Sequence, residues 1–318
     1  MKNNTVLQYI IRRLAALIPV MLGVTFITYG LMYLSPQDPV EMMLQAGGTA
    51  PSPEVVVSMR HQLGLDRPFL VQYFSWLWNF IRGDMGVSYT SGENVGGLVL
   101  KALPNTLKLA FGSVVVTVLL SVPLGIFTAV KQGRLSDVLI RLLSFIGNSL
   151  PNFVVSLLLL YVFALKLDMF PIISNGSFLS YVLPTMALAI PMTGKYIRQA
   201  RAAVLEQLGK PYVDGAISRG LKTRVILFKD VMRNAMITIV TLMSMSVGAL
   251  LGGTAAIEMI FVMPGLGYMV TNAITARDYP VIQGFVVWMC IIYIVINLLT
   301  DISYYYMDPR MDSGLGVE

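Results

Sequence analysis

Tyr212-Val213-Asp214-Gly215-Ala216-Ile217-Ser218-Arg219-Gly220 stands inside the most basic stretch of this chain, where nine Lys/Arg residues fall between Lys195 and Arg233. Long apolar runs bound the stretch on both sides. Lys and Arg between two membrane spans are retained in the cytoplasm, so this segment decides both the class of the protein and its orientation. Pro211 suits the first position of a helix and Gly220 the position just past its end. A helix of about ten residues does not stand alone in water, so it must dock on something. The preceding apolar run continues as Lys195-Tyr196-Ile197-Arg198-Gln199-Ala200-Arg201 and predicts a rod ending near Gly209. The short helix then hangs between two long ones, placed to pass a partner's motion to the membrane. The bland alternative is a basic loop held to anionic lipid. The capping residues favour the docking helix.

Composition bounds the rest. The 318 residues are 56% hydrophobic and 13% charged, where soluble domains carry about 25% charged residues. The chain is therefore an integral membrane protein. Its net charge of +6 follows from membrane topology and requires no nucleic acid. The single cysteine, Cys290, excludes an internal disulfide and a cysteine-built metal site. The single histidine, His61, supplies no metal site alone, and the scattered methionines read as adaptable packing. After Lys2, Arg12 and Arg13 an uncharged run extends to Gln37. It is longer than a signal-peptide core, so it is read as a retained anchor.

A spanning helix needs about 20 mostly apolar residues. Six stretches are assigned: 14–34, 109–130, 142–165, 178–194, 235–257 and 279–300. With both termini in the cytoplasm, sixteen of the 23 Lys/Arg residues lie inside and seven outside or at the outer edge. The layout is an N-terminus and first span (1–34), an extracytoplasmic helical subdomain (35–105), and a five-helix core (106–318) that carries the 195–233 loop. In the subdomain Ser52-Pro53-Glu54 opens a helix that Gly64 stops. An aromatic helix from Phe69 to Ile81 follows, its rings read as core and membrane-interface residues rather than a ligand cage. Pro19, Pro123, Pro151, Pro184 and Pro191 fall within spans, where a freed carbonyl must find another partner. Asn148 and Asn152 flank Pro151 and are expected to line a path or bond between helices. Glu258, beside Pro264-Gly265-Leu266-Gly267, is an acid at a membrane boundary. It is expected near the outer mouth, for partner contact or gating, with a capping or salt-bridge role as the alternative.

The loop resembles the coupling loop of binding-protein-dependent ABC importer permeases, whose pattern is Glu-Ala-Ala, three residues, Gly, nine residues, Ile-x-Leu-Pro. Here the residues are Asp214-Gly215-Ala216, then Gly220, then Asp230-Val231-Met232-Arg233. Asp214 and Gly215 are mild departures; Asp230 and Arg233 depart clearly from the Ile and Pro positions. Met232-Arg233-Asn234-Ala235 resembles the looser peptide/nickel branch. So do Gln62-Leu63-Gly64-Leu65-Asp66-Arg67-Pro68, Gly83-Asp84-Met85-Gly86-Val87-Ser88, Leu103-Pro104-Asn105-Thr106-Leu107, Glu258-Met259-Ile260-Phe261-Val262-Met263-Pro264-Gly265-Leu266-Gly267, and Asp308-Pro309-Arg310.

The resemblance implies an all-α, six-span type I importer permease in a bacterial or archaeal inner membrane, of the subunit type with a long loop after its first span. It implies a paralogous permease as the other half of the pore, two cytoplasmic ATPases that use ATP and Mg, and an extracytoplasmic solute-binding protein. Tyr212, Val213, Asp214, Gly215, Ala216, Arg219 and Gly220 then form the ATPase contact. Asn148, Asn152, Glu258, Pro264 and Gly265 are pore or gate candidates. The chain has no Gly-x4-Gly-Lys-Ser/Thr loop and is expected to bind no nucleotide, to hold no metal and to catalyse nothing alone. A secondary transporter would instead show internal repeats and mid-membrane acids, and a channel needs no docking helix. Peptides are the first substrate choice, with nickel or a nickel chelate second.

Overall fold

The computed structural model describes residues 2–35, 38–45 and 52–307. Part of the expected outer subdomain (36, 37 and 46–51) and the Asp308-Pro309-Arg310 tail lie outside the described residues. The helices are α1 (Lys2–Tyr33), α2 (Pro39–Gln45), α3 (Pro53–Gln62), α4 (Phe69–Ile81), α5 (Val95–Val130), α6 (Leu135–Ser149), α7 (Asn152–Leu159), α8 (Phe178–Leu208), α9 (Pro211–Ser218), α10 (Thr223–Val225), α11 (Met232–Ile260), α12 (Leu266–Ala276) and α13 (Tyr279–Met307). π-Helical segments prolong α7 over Leu160–Lys166 and join α10 to α11 over Ile226–Val231. Among the described residues the only extended pairing is one isolated bridge, Val87 to Asn94. Two compact units result: Met1–Pro104 with Pro264–Leu298, and Asn105–Met263 with Leu299–Glu318. The sequence-based layout had kept 264–298 with the core, whereas these residues pack with the N-terminal part of the chain.

In the first unit α4 sits on α1 through rings. Phe69, Tyr73 and Trp76 meet Phe26, Tyr29 and Tyr33 at centroid distances of 5.1–6.3 Å, the range that aromatic pairs favour. The Tyr73 hydroxyl bonds Thr25 Oγ1 at 3.0 Å. The opposite face of α4, Leu70, Phe74, Trp78 and Ile81, is 54–67% exposed, so the aromatics divide between core and boundary by helix face. Ser52 stands at the N-cap of α3, but its side chain makes no capping bond. A second knot ties the turn after α4 to the start of α13. Asp278, buried, accepts from Ser88 Oγ at 2.5 Å and from the Tyr89 and Thr90 amides at 3.1 and 3.2 Å.

The second unit is built around α8, which packs against α6, α7 and α11. Small residues let the backbones approach. A Cβ at Gly194 would lie 2.4 Å from the Ser144 carbonyl oxygen of α6, and one at Gly125 of α5 would lie 2.6 Å from Ala200 Cβ. Pro184 and Pro191 lie inside α8 without ending it.

Residues 142–165, expected as one span, form a broken pair. α6 stops at Ser149, Leu150 and Pro151 are extended, and the helix restarts at Asn152 with its axis bent by 100°. Proline has no amide to give and forces the residue before it out of the helical region. Among the described residues α5 and Tyr279–Thr300 of α13 are long and apolar enough to span a membrane, with the bent pair a third candidate. The apolar part of α8, 178–194, falls short of the usual ~20 residues before its basic continuation begins.

Candidate functional site

α9 runs from Pro211 to Ser218, with Lys210 extended ahead of it. Its end is a Schellman motif. The Gly220 amide donates to Ile217 O at 2.8 Å and the Leu221 amide to Ala216 O at 3.2 Å. That closure requires a left-handed residue, and Gly220 supplies it at φ +78°. Nothing lies within 4 Å of where a Gly220 Cβ would stand, so the demand for glycine comes from the backbone alone.

Two faces of α9 have different work. Val213 and Ala216 are 4% and 2% exposed, in a core cluster with Ala200, Ala203, Val204, Ile226, Leu227 and Val231. Burying a valine contributes about 1.5–3 kcal/mol, which offsets the weakness of so short a helix. These two residues, assigned from sequence to the ATPase contact, instead hold α9 on its own chain. Tyr212, Asp214, Gly215, Ile217, Arg219 and Gly220 are exposed. The helix does not hang free between two rods; it is seated on them by its inner face.

A charge cluster that the sequence reading missed ties α6 to α8. Asp137, in the first turn of α6, is wholly buried. It accepts from Arg201 Nε and Nη2 of α8, both at 3.0 Å, from the Gly133 amide at 3.0 Å, and lies 3.1 Å from Arg141 Nε. The Arg201 hydrogen bonds hold its carboxyl below the usual carboxylate range, against the opposing effect of burial. A bidentate arginine–carboxylate pair fixes orientation as well as distance. It thereby ties α8 to α6 two turns before α8 ends. The only sequence signal was an acid bordering an apolar run, next to residues already explained as topological positives.

The gate candidates separate. Asn148, at the end of α6, is exposed. Asn152 is partly buried, and its Nδ2 would lie 3.3 Å from a Cβ at Gly253 of α11. Glu258 is wholly buried and accepts from Thr106 Oγ1 of α5 at 2.7 Å. Its carboxylate is turned into the protein rather than to the surface of this chain. Just beyond, the Met263 amide donates to Glu258 O at 2.8 Å, which places Val262 at φ +48°. Asn105, beside Thr106, accepts from the Tyr181 hydroxyl at 2.6 Å. Pro264 is exposed, while Gly265 is buried and caps α12 in an extended conformation. Among the described residues no cluster of three or more His, Cys, Asp or Glu side chains is arranged to hold a metal ion.

A docked short helix, a basic loop and a bundle of apolar helices are what the comparisons with known proteins must match. The family described as binding-protein-dependent transport system inner membrane component matches residues 121–313, and its N-terminal companion matches residues 6–110. The chain belongs to this permease family. It is 35% identical over 309 residues to the metal-staphylopine import system permease protein CntB of Staphylococcus aureus (strain NCTC 8325), covering 96% of this chain and 99% of that one. A permease of Brucella suis biovar 1, whose name places it in a peptide transport system, is 34% identical, covering 95% and 98%. The nickel import system permease protein NikB of S. aureus (strain MRSA252) is 32% identical, covering 98% and 94%. In fold the chain is similar to a chain of the inward-facing MetNI methionine ABC transporter, with a TM-score of 0.53 at 15% identity over 66% of this chain and 96% of that one.

The protein is thus a membrane permease of the peptide/nickel type of binding-protein-dependent ABC importer. The secondary-transporter and channel classes are set aside. Permeases of this family are not catalytic themselves, and ATPase activity resides in partner subunits.

Proposed function

We propose that this permease crosses the inner membrane six times with both termini in the cytoplasm, that residues 35–105 form an extracytoplasmic subdomain, and that α9 seats in a groove of a cytoplasmic ATPase. In this reading the other half of the pore is a paralogous permease. Two ATPases, one under each docking helix, use ATP and Mg, and a binding protein delivers solute from outside. The observation that carries it is the two-faced geometry of α9: an inner face anchored in the core and an outer face of Tyr212, Asp214, Gly215 and Arg219 exposed beside it. A cysteine at Ser218 crosslinks to the ATPase and is labelled only after permeabilisation, whereas one at Ser91 reacts with an impermeant reagent from outside. Outside labelling at Ser218 reverses the topology and ends the coupling role.

The solute is a short peptide. The peptide-system relative at 34% identity supports this. The metal-staphylopine and nickel relatives, at 35% and 32%, favour a nickel or metal-chelate solute as the second reading. The reconstituted transporter with its binding protein distinguishes them: a peptide, and not nickel or its chelate, accelerates ATP hydrolysis if the first reading holds.

A further inference from the structure

The first unit contains a cavity of about 580 Å³ that the transport reading does not use. Its walls come from the end of α1, from α3 and α4, and from the start of α13. Three lining residues carry buried polar atoms with no partner among the described residues: Trp76 Nε1, the Tyr279 hydroxyl and Gln283 Oε1. Gln283 is 1% exposed, and its Nε2 donates to the Thr25 carbonyl at 3.0 Å. That carbonyl only accepts, so the amide is oriented and its oxygen is the atom left without a donor. An unsatisfied buried polar group costs roughly 1–3 kcal/mol, and three on one cavity call for an occupant. Two donors and one acceptor ask for a ligand that has anionic oxygen at one end and N–H donors at the other.

Charge and depth narrow the choice. Asp38 and Asp66 line the cavity with one guanidinium, that of Arg60, which pairs with Asp38. Tyr29, Tyr33 and Tyr89 add ring faces that attract an organic cation. Burial, with the charge of nearby Asp278 and two neighbouring tyrosines, pushes the Tyr89 hydroxyl above the ordinary tyrosine range, so it remains a neutral donor. The apolar stretch of α1 ends at Tyr33 and that of α13 begins at Tyr279. Both residues line the cavity, which therefore lies where hydrocarbon gives way to headgroups, the level at which Tyr and Trp concentrate. The faces of α4 and α1 turned away from the cavity (Phe74 59%, Trp78 55%, Ile27 62% and Leu31 67% exposed) carry the apolar surface of this unit.

We propose that this cavity holds the zwitterionic headgroup of a membrane phospholipid of the ethanolamine type. Phosphate oxygens accept from Trp76 Nε1 and the Tyr279 hydroxyl, and the ammonium donates to Gln283 Oε1 among the tyrosine rings. Small-molecule sites run from about 300 to 1,000 Å³, so the cavity takes a phosphoethanolamine group with its waters. The site is independent of coupling through α9.

The complete transporter is reconstituted in nanodiscs of equal parts phosphatidylethanolamine, phosphatidylcholine and phosphatidylglycerol, and the retained lipid is read by native mass spectrometry. Phosphatidylethanolamine is retained over the other two. Trp76→Phe and Gln283→Leu each lower that preference by roughly fivefold, the value of one hydrogen bond. Gly220→Val leaves it unchanged. The wild-type lipid competition needs no variant, so a poorly folded mutant does not decide the matter. Equal retention of phosphatidylglycerol, or an unchanged preference in the folded double variant, overturns the proposal. Displacement of the lipid by millimolar glycylglycine also overturns it, because the cavity is then a site for soluble zwitterions.

Discussion

α9 and α11 end with the same hydrogen-bond pattern and opposite residues. At α9 the left-handed position is Gly220, at φ +78°; at α11 it is Val262, at φ +48°. Glycine occupies that region freely. A β-branched residue there is a steric outlier, and such strain persists only where the surroundings over-determine it. The same unit holds two buried carboxylates, Asp137 in the first turn of α6 and Glu258 within the last turns of α11. One carboxylate is gripped by arginine and the other accepts from a threonine hydroxyl. α9 is closed by glycine without left-handed strain and rests on an apolar cluster. The end of α11 holds strain within a few residues of a buried acid. The difference teaches that one closing motif can be met freely by glycine or under strain by a β-branched residue, so the same helix end carries different backbone energies at the two places.

Removing the arginine-gripped carboxylate tests the contrast hardest. Breaking a buried ion pair from one side costs roughly 3–5 kcal/mol, and partial exposure of the arginines places Asp137→Ala near 3 kcal/mol. Thermal or denaturant unfolding of the purified protein in detergent reads this loss. A change under about 1 kcal/mol, the worth of a surface pair, would show that the cluster does not position α8.

Gly220→Val comes next. Left-handed strain of on the order of 1–3 kcal/mol should leave membrane abundance normal and abolish uptake, because conformational states differ by a similar few kcal/mol. Gly220→Asn should retain much of the uptake, since asparagine tolerates this region. If Asn is as inactive as Val, the backbone argument fails. Asp214→Lys, which reverses a charge on the outer face, should also abolish uptake at normal abundance.

Val262→Gly sharpens the other side of the comparison. Relief of the left-handed penalty, about 1–2 kcal/mol, exceeds glycine's entropic loss of about 0.5–1 kcal/mol. The variant should therefore be slightly more stable. A measured destabilisation would mean that Val262 is not a store of strain.

The smallest effect is with pH. Asp137 has a depressed folded-state pKa, so its contribution is complete above the ordinary carboxylate value of about 3.9 and is lost as pH falls through the depressed one. The stability difference between wild type and Asp137→Asn should stay flat from neutral pH down to about pH 5 and shrink only in stronger acid. A difference that changes between pH 7 and 5 would assign the titration to another group.

The legible parts of this protein are those whose causes are local. Pro211 and Gly220 bracket α9, Gly209 closes α8, and α4 has the bounds Phe69–Ile81 that its turn residues announce. Pro151 was visible as a breaker, but a kink and a 100° break look alike in sequence. The choice between them depends on what packs beside the freed backbone. The shortfall at the candidate sites has the same origin. Val213 and Ala216 matched the docking pattern, yet the pattern does not say which face of a short helix its own chain covers.

The sequence by itself determined that this is a helical membrane protein, where the helices bounded by their own proline and glycine signals begin and end, and which family it resembles. Those properties follow from composition, from residues one to four apart, and from the order of short motifs. Only the tertiary structure decided the long-range polar pairs: Asp137 with Arg201 across 64 residues, Glu258 with Thr106 across 152, and Ser88 with Asp278 across 190. Each is a polar group whose desolvation must be met by a specific partner. Nothing in the local chain names that partner, because it is chosen by which helices come to lie side by side.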